Sequence, residues 1–228
     1  MTISVVVLLL LWLAFGAIHL VMSSRNIRPW LIQRFGDRGF LGFYSSVIVI
    51  VFVVMVAYYF SHKHAGPLLW DLKGIPVVRY LSMVLIAFGF FCLAVSIAPS
   101  SASPLAMTAS GKLSAEGLVR VTRHPGFIGF SLFGLAHCLV NCYLGDIIFF
   151  GGFAAWPPVG ARDQERRKLA TIGKEFADFL AETSYLPFAA ILRGRQKLAL
   201  KEVNWKAGLI GLAIFAVVRF FHRPLFGP

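Results

Sequence analysis

Residues 3–22 form an apolar run broken only by Ser4 and His19. Twenty residues of α-helix reach about 30 Å, the thickness of a bilayer's hydrocarbon core. Similar runs follow at residues 40–60, 75–98, 126–143, 146–160 and 207–221. No Lys or Arg precedes the first run and no small-residue cleavage site follows it, so it reads as a retained anchor. Pro76 falls in the first turn of the third run, where proline is pre-organised for a helix. Only Leu144 and Gly145 separate the fourth and fifth runs, which predicts a tight helical hairpin. The sixth is weaker, being interrupted by Arg219.

Charge supports the same reading. Only 14% of the 228 residues are charged, against about a quarter in soluble domains. The expected fold is all-α: a single polytopic membrane bundle over residues 1–228, with about six transmembrane helices. Residues 163–183 carry Leu169, Ile172, Phe176, Phe179 and Leu180 at helical spacing with a charged opposite face. They predict an amphipathic cytoplasmic helix. Residues 98–111, rich in Ser, Ala and Pro, read as a loop.

The net charge of +12 lies between the runs, not along one aqueous face. That argues against nucleic-acid binding, which needs a continuous basic surface. Arg25, Arg28, Arg34 and Arg38 follow the first run, Lys112, Arg120 and Arg123 the third, and Arg162, Arg166, Arg167, Lys168 and Lys174 the fifth. The alternate loops hold only Lys63 and Lys73. The excess of Lys and Arg on cytoplasmic loops then predicts an N-terminus outside.

Three of the six histidines fall in or beside apolar runs: His19, His137 and His124. His62, His64 and His222 read as solvated. An ionisable side chain within a membrane faces the bundle interior and finds a partner. One such histidine can simply donate across helices. Two on different helices also suit the axial positions of a haem iron. Magnesium and calcium want carboxylates, which these runs almost lack. Cys92, Cys138 and Cys142 read as apolar filler, with no zinc or c-type haem spacing. In Arg123-His124-Pro125 the proline marks a helix start. That positive end suits an anionic group or lipid headgroups.

Several ordered motifs carry a resemblance. They are G-L-V-R-V-T-R-H-P-G-F-I-G-F, L-A-H-C-L-V-N, D-Q-E-R-R-K-L and T-S-Y-L-P-F-A-A-I, preceded by I-H-L-V-M-S-S-R-N-I-R. Together they resemble the NnrU family of bacterial membrane proteins and the related plant zeta-carotene isomerases. The resemblance implies a bacterial inner-membrane protein with haem b held by His19 and His137. It implies redox-linked activity, either cis–trans isomerisation of a polyene or nitrogen-oxide and denitrification metabolism. The implied small partners are an apolar polyene or nitric oxide. Neither catalysis nor oligomeric state follows from it. Arg123 and His124 would neutralise haem propionates, with His124 a rival ligand. Gly134 stands where the isomerases have a cysteine near the L-A-H histidine, and the fifth run lacks their further histidines. The R-H-P-x-F-x-G pattern, with Glu165, Leu169 and Gly173 downstream, is also similar to isoprenylcysteine carboxyl methyltransferase-like proteins and related reductases. A non-catalytic denitrification accessory is the third reading. Depth raises a question about the ligand pair. His19 lies about 4–5 Å from its helix end, and His137 about 16 Å past the start of its own. By depth alone, His124 matches His19 better.

Overall fold

The computed structural model describes residues 2–98, 113–222 and 224. The expected loop at 98–111 and Lys112 lie almost wholly outside them; Ala98 alone is described and ends the third helix. The described residues are helical apart from connectors and one isolated bridge, Leu68 to Tyr143. Four helices are long and apolar enough to cross a membrane: α1 (Ile3–Ser23), α2 (Ile27–Ser61), α3 (Pro76–Ile97) and α5 (Leu144–Ile172). Between the last two lies the shorter apolar α4 (Pro125–Val140). Then come α6 (Lys174–Glu182), the single turn α7 (Ala189–Leu192) and α8 (Trp205–Phe220). Large apolar residues such as Leu13, Val53 and Val84 face outward, where lipid and not water meets them.

Two segments differ from the sequence reading. Helix begins at Ile27, thirteen residues before the expected start, and breaks at Gly36 (φ 69, ψ 169). That backbone is open to glycine and costly for other residues. The basic stretch before it is therefore a helical turn set off from the span, not a loop. The second difference concerns residues 163–172, which continue α5 without interruption. Nothing between Gly160 and Asp163 stops the helix, and Pro157 and Pro158 are accommodated within it. Gly173 (φ 73, ψ −131) ends it. A separate short helix, α6, follows it and buries Phe176 and Phe179 against Val119. The α4–α5 hairpin forms, but α4 ends at Val140, Asn141–Tyr143 make the connector, and Leu144 and Gly145 already belong to α5.

The packed pairs run in a row: α2 on α1, α1 on α5, α5 on α4, α4 on α3, and α3 on α8. Lipid is as apolar as the side chains, so close van der Waals fit holds such helices together. Glycines supply the closeness. A Cβ on Gly129 would lie 2.6 Å from the Gly89 carbonyl oxygen, so α3 and α4 cross backbone to backbone. Trp12 fills the space over Gly152, and Trp156 fills that over Gly16. These two reciprocal insertions fix the register of α1 on α5. Trp12 Nε1 adds a hydrogen bond to the Phe149 carbonyl at 3.1 Å.

The basic segments gather at one end. Ser23 at the close of α1 donates to Asp163 at 3.2 Å, and Arg167 pairs with the same carboxylate at 3.3 Å. Nearby, Arg120 forks onto Glu202 with bonds of 2.7 and 2.9 Å. The Ala65–Pro67 loop closes the opposite end, accepting from the first amides of α5: Gly145 to Ala65 at 2.8 Å and Leu144 to Pro67 at 3.0 Å.

Candidate functional site

His124 is the residue preceding α4, with Pro125 opening the helix. Its ring is 2% exposed. It stacks on Phe127 at 5.3 Å and leans on Tyr185 at 5.8 Å. Its Nε2 lies 2.8 Å from Glu165 of α5. Arg123 grips both oxygens of that carboxylate through Nε and Nη2, and its Nη1 donates to the Thr183 carbonyl at 3.2 Å. The backbone fixes the group. Arg123 N–H donates to Ser184 at 2.9 Å, and Thr122 Oγ1 to the Tyr185 carbonyl at 2.7 Å. The T-R-H-P and T-S-Y-L segments, some sixty residues apart, are locked together.

Burial is the largest influence on His124 and pushes its pKa below 6.5, while the bond to Glu165 pulls the other way. An ionised carboxylate only accepts, so the ring faces it with Nε2–H as donor. The positive end of α4 is met by the chain's own Glu165. In the sequence that residue is marked only by its spacing.

His19 and His137 lie elsewhere along the bundle. The Tyr44 hydroxyl sits 2.9 Å from His19 Nδ1 and 3.1 Å from Nε2. Phe15 stacks beside the His19 ring and Trp156 meets it edge-on at 6.1 Å. His137 lies against Phe150 at 4.4 Å, and its Nδ1–H donates to the Phe133 carbonyl at 2.8 Å. That bond selects the tautomer whose Nε2 lone pair is available.

Helix α5 serves as a ruler. His137 meets Phe150, His19 meets Trp156 and His124 meets Glu165. Along α5 the contacted residues are roughly 9 Å apart from Phe150 to Trp156 and roughly 14 Å apart from Trp156 to Glu165. The register of α1 on α5, with Gly16 against Trp156 and Ser23 bonded to Asp163, sets the His19 backbone nearer the level of Glu165, the partner of His124, than that of Phe150. Helical side chains lean toward the N-terminus, which carries the His19 ring deeper than its Cα. In kind, the donors suit a haem iron: two imidazoles from different helices in aromatic surroundings. In position, His19 and His137 each have local partners, and the rings sit at different levels. Among the described residues no three His, Cys, Asp or Glu gather to hold a bare metal ion.

At the opposite end the structure adds a contact that the sequence reading missed. His64 is exposed, as the sequence suggested, but it also has a buried partner: its Nδ1 lies 2.7 Å from the carboxylate of Asp146. The signal was present, since Asp146 is the one acid in an apolar run.

Four helices long and apolar enough to cross a membrane, glycine crossings and outward apolar faces define a membrane-type helix bundle. More narrowly, the chain belongs to the NnrU family, whose model (NnrU protein) matches residues 7–228. It is similar to the chloroplastic 15-cis-zeta-carotene isomerase of Arabidopsis thaliana, 31% identical over 230 residues, covering 96% of this chain and 60% of that protein. The corresponding Zea mays protein is 30% identical with the same coverage. The chain thus spans 60% of the length of these curated relatives. No solved structure matches it.

Proposed function

We propose that this chain is a membrane protein with isomerase-like activity on a long apolar polyene. The observation carrying the proposal is similarity to two carotene isomerases across 96% of the chain. The setting supports it. His19 and His137 stand among Phe15, Phe133, Phe150 and Trp156, surroundings that suit a hydrocarbon and exclude water.

Haem b is part of the proposal. His137 would supply Nε2 to the iron while Phe133 holds its ring, and His19 would be the partner ligand. His124, already donating to Glu165, is the rival for that place. Arg123, with the basic surface around it, would face the propionates. When bound, the group supplies a redox-active iron. The chain's own residues orient the imidazoles, wall the site with aromatic rings and keep it dry. We further propose about six spans, counting α4 and α8, and a bacterial inner-membrane location with the N-terminus outside. Nitrogen-oxide metabolism is the second reading and rests only on what the resemblance to the family implies.

Optical spectra of detergent-purified protein, oxidised and reduced, test the haem. Wild type is expected to show a Soret band that His137→Ala abolishes and His19→Ala shifts or abolishes. A wild type without the band after haem-supplied expression overturns the haem. Loss with His124→Ala but not with His19→Ala reassigns the second ligand. Polyene conversion, followed by chromatography of cis and trans isomers, tests the activity separately.

A further inference from the structure

Asp146 lies in the first turn of α5 and is completely buried. A carboxylate in such a place persists only with partners. It has three contacts from two other segments. The Tyr59 hydroxyl of α2 donates to Oδ1 at 3.0 Å, and the His64 backbone N–H donates to the same oxygen at 3.2 Å. His64 Nδ1 lies 2.7 Å from Oδ2.

The two side chains lead in different directions. Tyr59 is 4% exposed and stacks on Phe149 at 3.9 Å. It also meets Phe150, the ring on which His137 lies. The His64 side chain is 38% exposed, so Asp146 joins the surface to the aromatic core. His64 adopts a left-handed backbone (φ 57), which non-glycine residues rarely hold. That conformation aims both its N–H and its ring at one carboxylate. Anchoring the loop does not need this, because bonds from Gly145 to Ala65, Leu144 to Pro67 and Leu69 to Cys142 already fix it.

We propose that Asp146 is a proton-loading site inside the bundle, filled from the surface through His64. The step balances as one proton taken from hydronium in the bulk solvent, which leaves water. His64 Nε2 binds that proton while Nδ1 passes its own to Asp146 Oδ2. His64 is left neutral in its other tautomer, and Asp146 becomes a neutral acid still accepting from Tyr59 at Oδ1. The loaded acid no longer carries a buried charge, while the unloaded carboxylate is held by its three contacts. The other titratable groups nearby are Lys63 beside His64, Tyr143 at 5.1 Å from the His64 ring, and Cys138 on α4. The loaded proton stands two aromatic rings, Tyr59 and Phe150, from His137, where it can offset a change of charge in the core. None of these steps requires haem.

Infrared difference spectra of the full chain in detergent test it. In wild type, acidification is expected to produce a protonated-carboxyl band that Asp146→Asn removes and that shifts within seconds in D2O. His64→Gln, which cannot pass a proton from nitrogen to nitrogen, is expected to slow that exchange by about tenfold or more. Tyr143→Phe is expected to leave it unchanged. An equal rate in His64→Gln overturns the proposal. So does a wild-type band that never appears while helicity is retained, or one that takes hours to exchange. Those last two outcomes are read on wild type alone and need no folded variant.

Discussion

Glu165 illustrates how one residue can be decisive and poorly legible. Arg123 and His124 announced themselves by the R-H-P pattern, because proline after a basic pair marks a helix start. Their common partner lies 42 and 41 residues away on another helix, and no local periodicity connects them. His64 and Asp146, 82 residues apart, escaped for the same reason. His19 and His137 were legible because an ionisable group within an apolar run stands out. The His124 contact sets a pH dependence. Its pKa is depressed in the fold, mainly by burial, so the unfolded chain binds more protons just below 6.5. That contribution to stability is present above about pH 6.5 and is lost as pH falls. The melting temperature in detergent should decline between about pH 7 and pH 5. His124→Gln, which keeps a donor for Glu165, should flatten the decline. An unchanged slope would remove His124 from the account.

Among the elements, the runs themselves were readable, since length and apolarity are local properties. The ends were less so. Charge at Arg28 and Arg34 suggested a loop, yet that stretch is helical up to Gly36. The fifth apolar run ends at residue 160, just before charge begins, yet the helix continues to Ile172. Helix packing was unreadable, because nothing in an isolated run tells which glycine meets which backbone. Gly89 and Gly129 meet with no room for a side chain. Gly129→Leu must push α3 and α4 apart, and overpacking of this kind costs about 1–3 kcal/mol or more. The thermal unfolding midpoint in detergent should drop clearly. An equivalent change at Gly42, which has open space around it, should be nearly silent.

For the molecule as a whole, composition and run lengths gave the class of fold, while the order of helices in space came only with the structure. The basic segments collect at one end, which makes the proposed orientation testable. In a variant whose three free cysteines are replaced by serine, Lys63→Cys should react with an impermeant maleimide in intact cells, and Lys197→Cys only after lysis. The reverse pattern would invert the topology. The seam of Trp12 and Trp156 has a consequence for how the chain is made. Trp12 bonds across 137 residues to Phe149. At ribosomal speeds of about 5–20 residues per second, roughly 7–30 seconds pass between synthesis of the two. Through that interval the nascent α1–α2 hairpin waits in the bilayer with its docking face open to lipid. Biogenesis of this protein therefore hinges on a late arrival, and on whatever shields a half-built bundle until α5 enters the membrane.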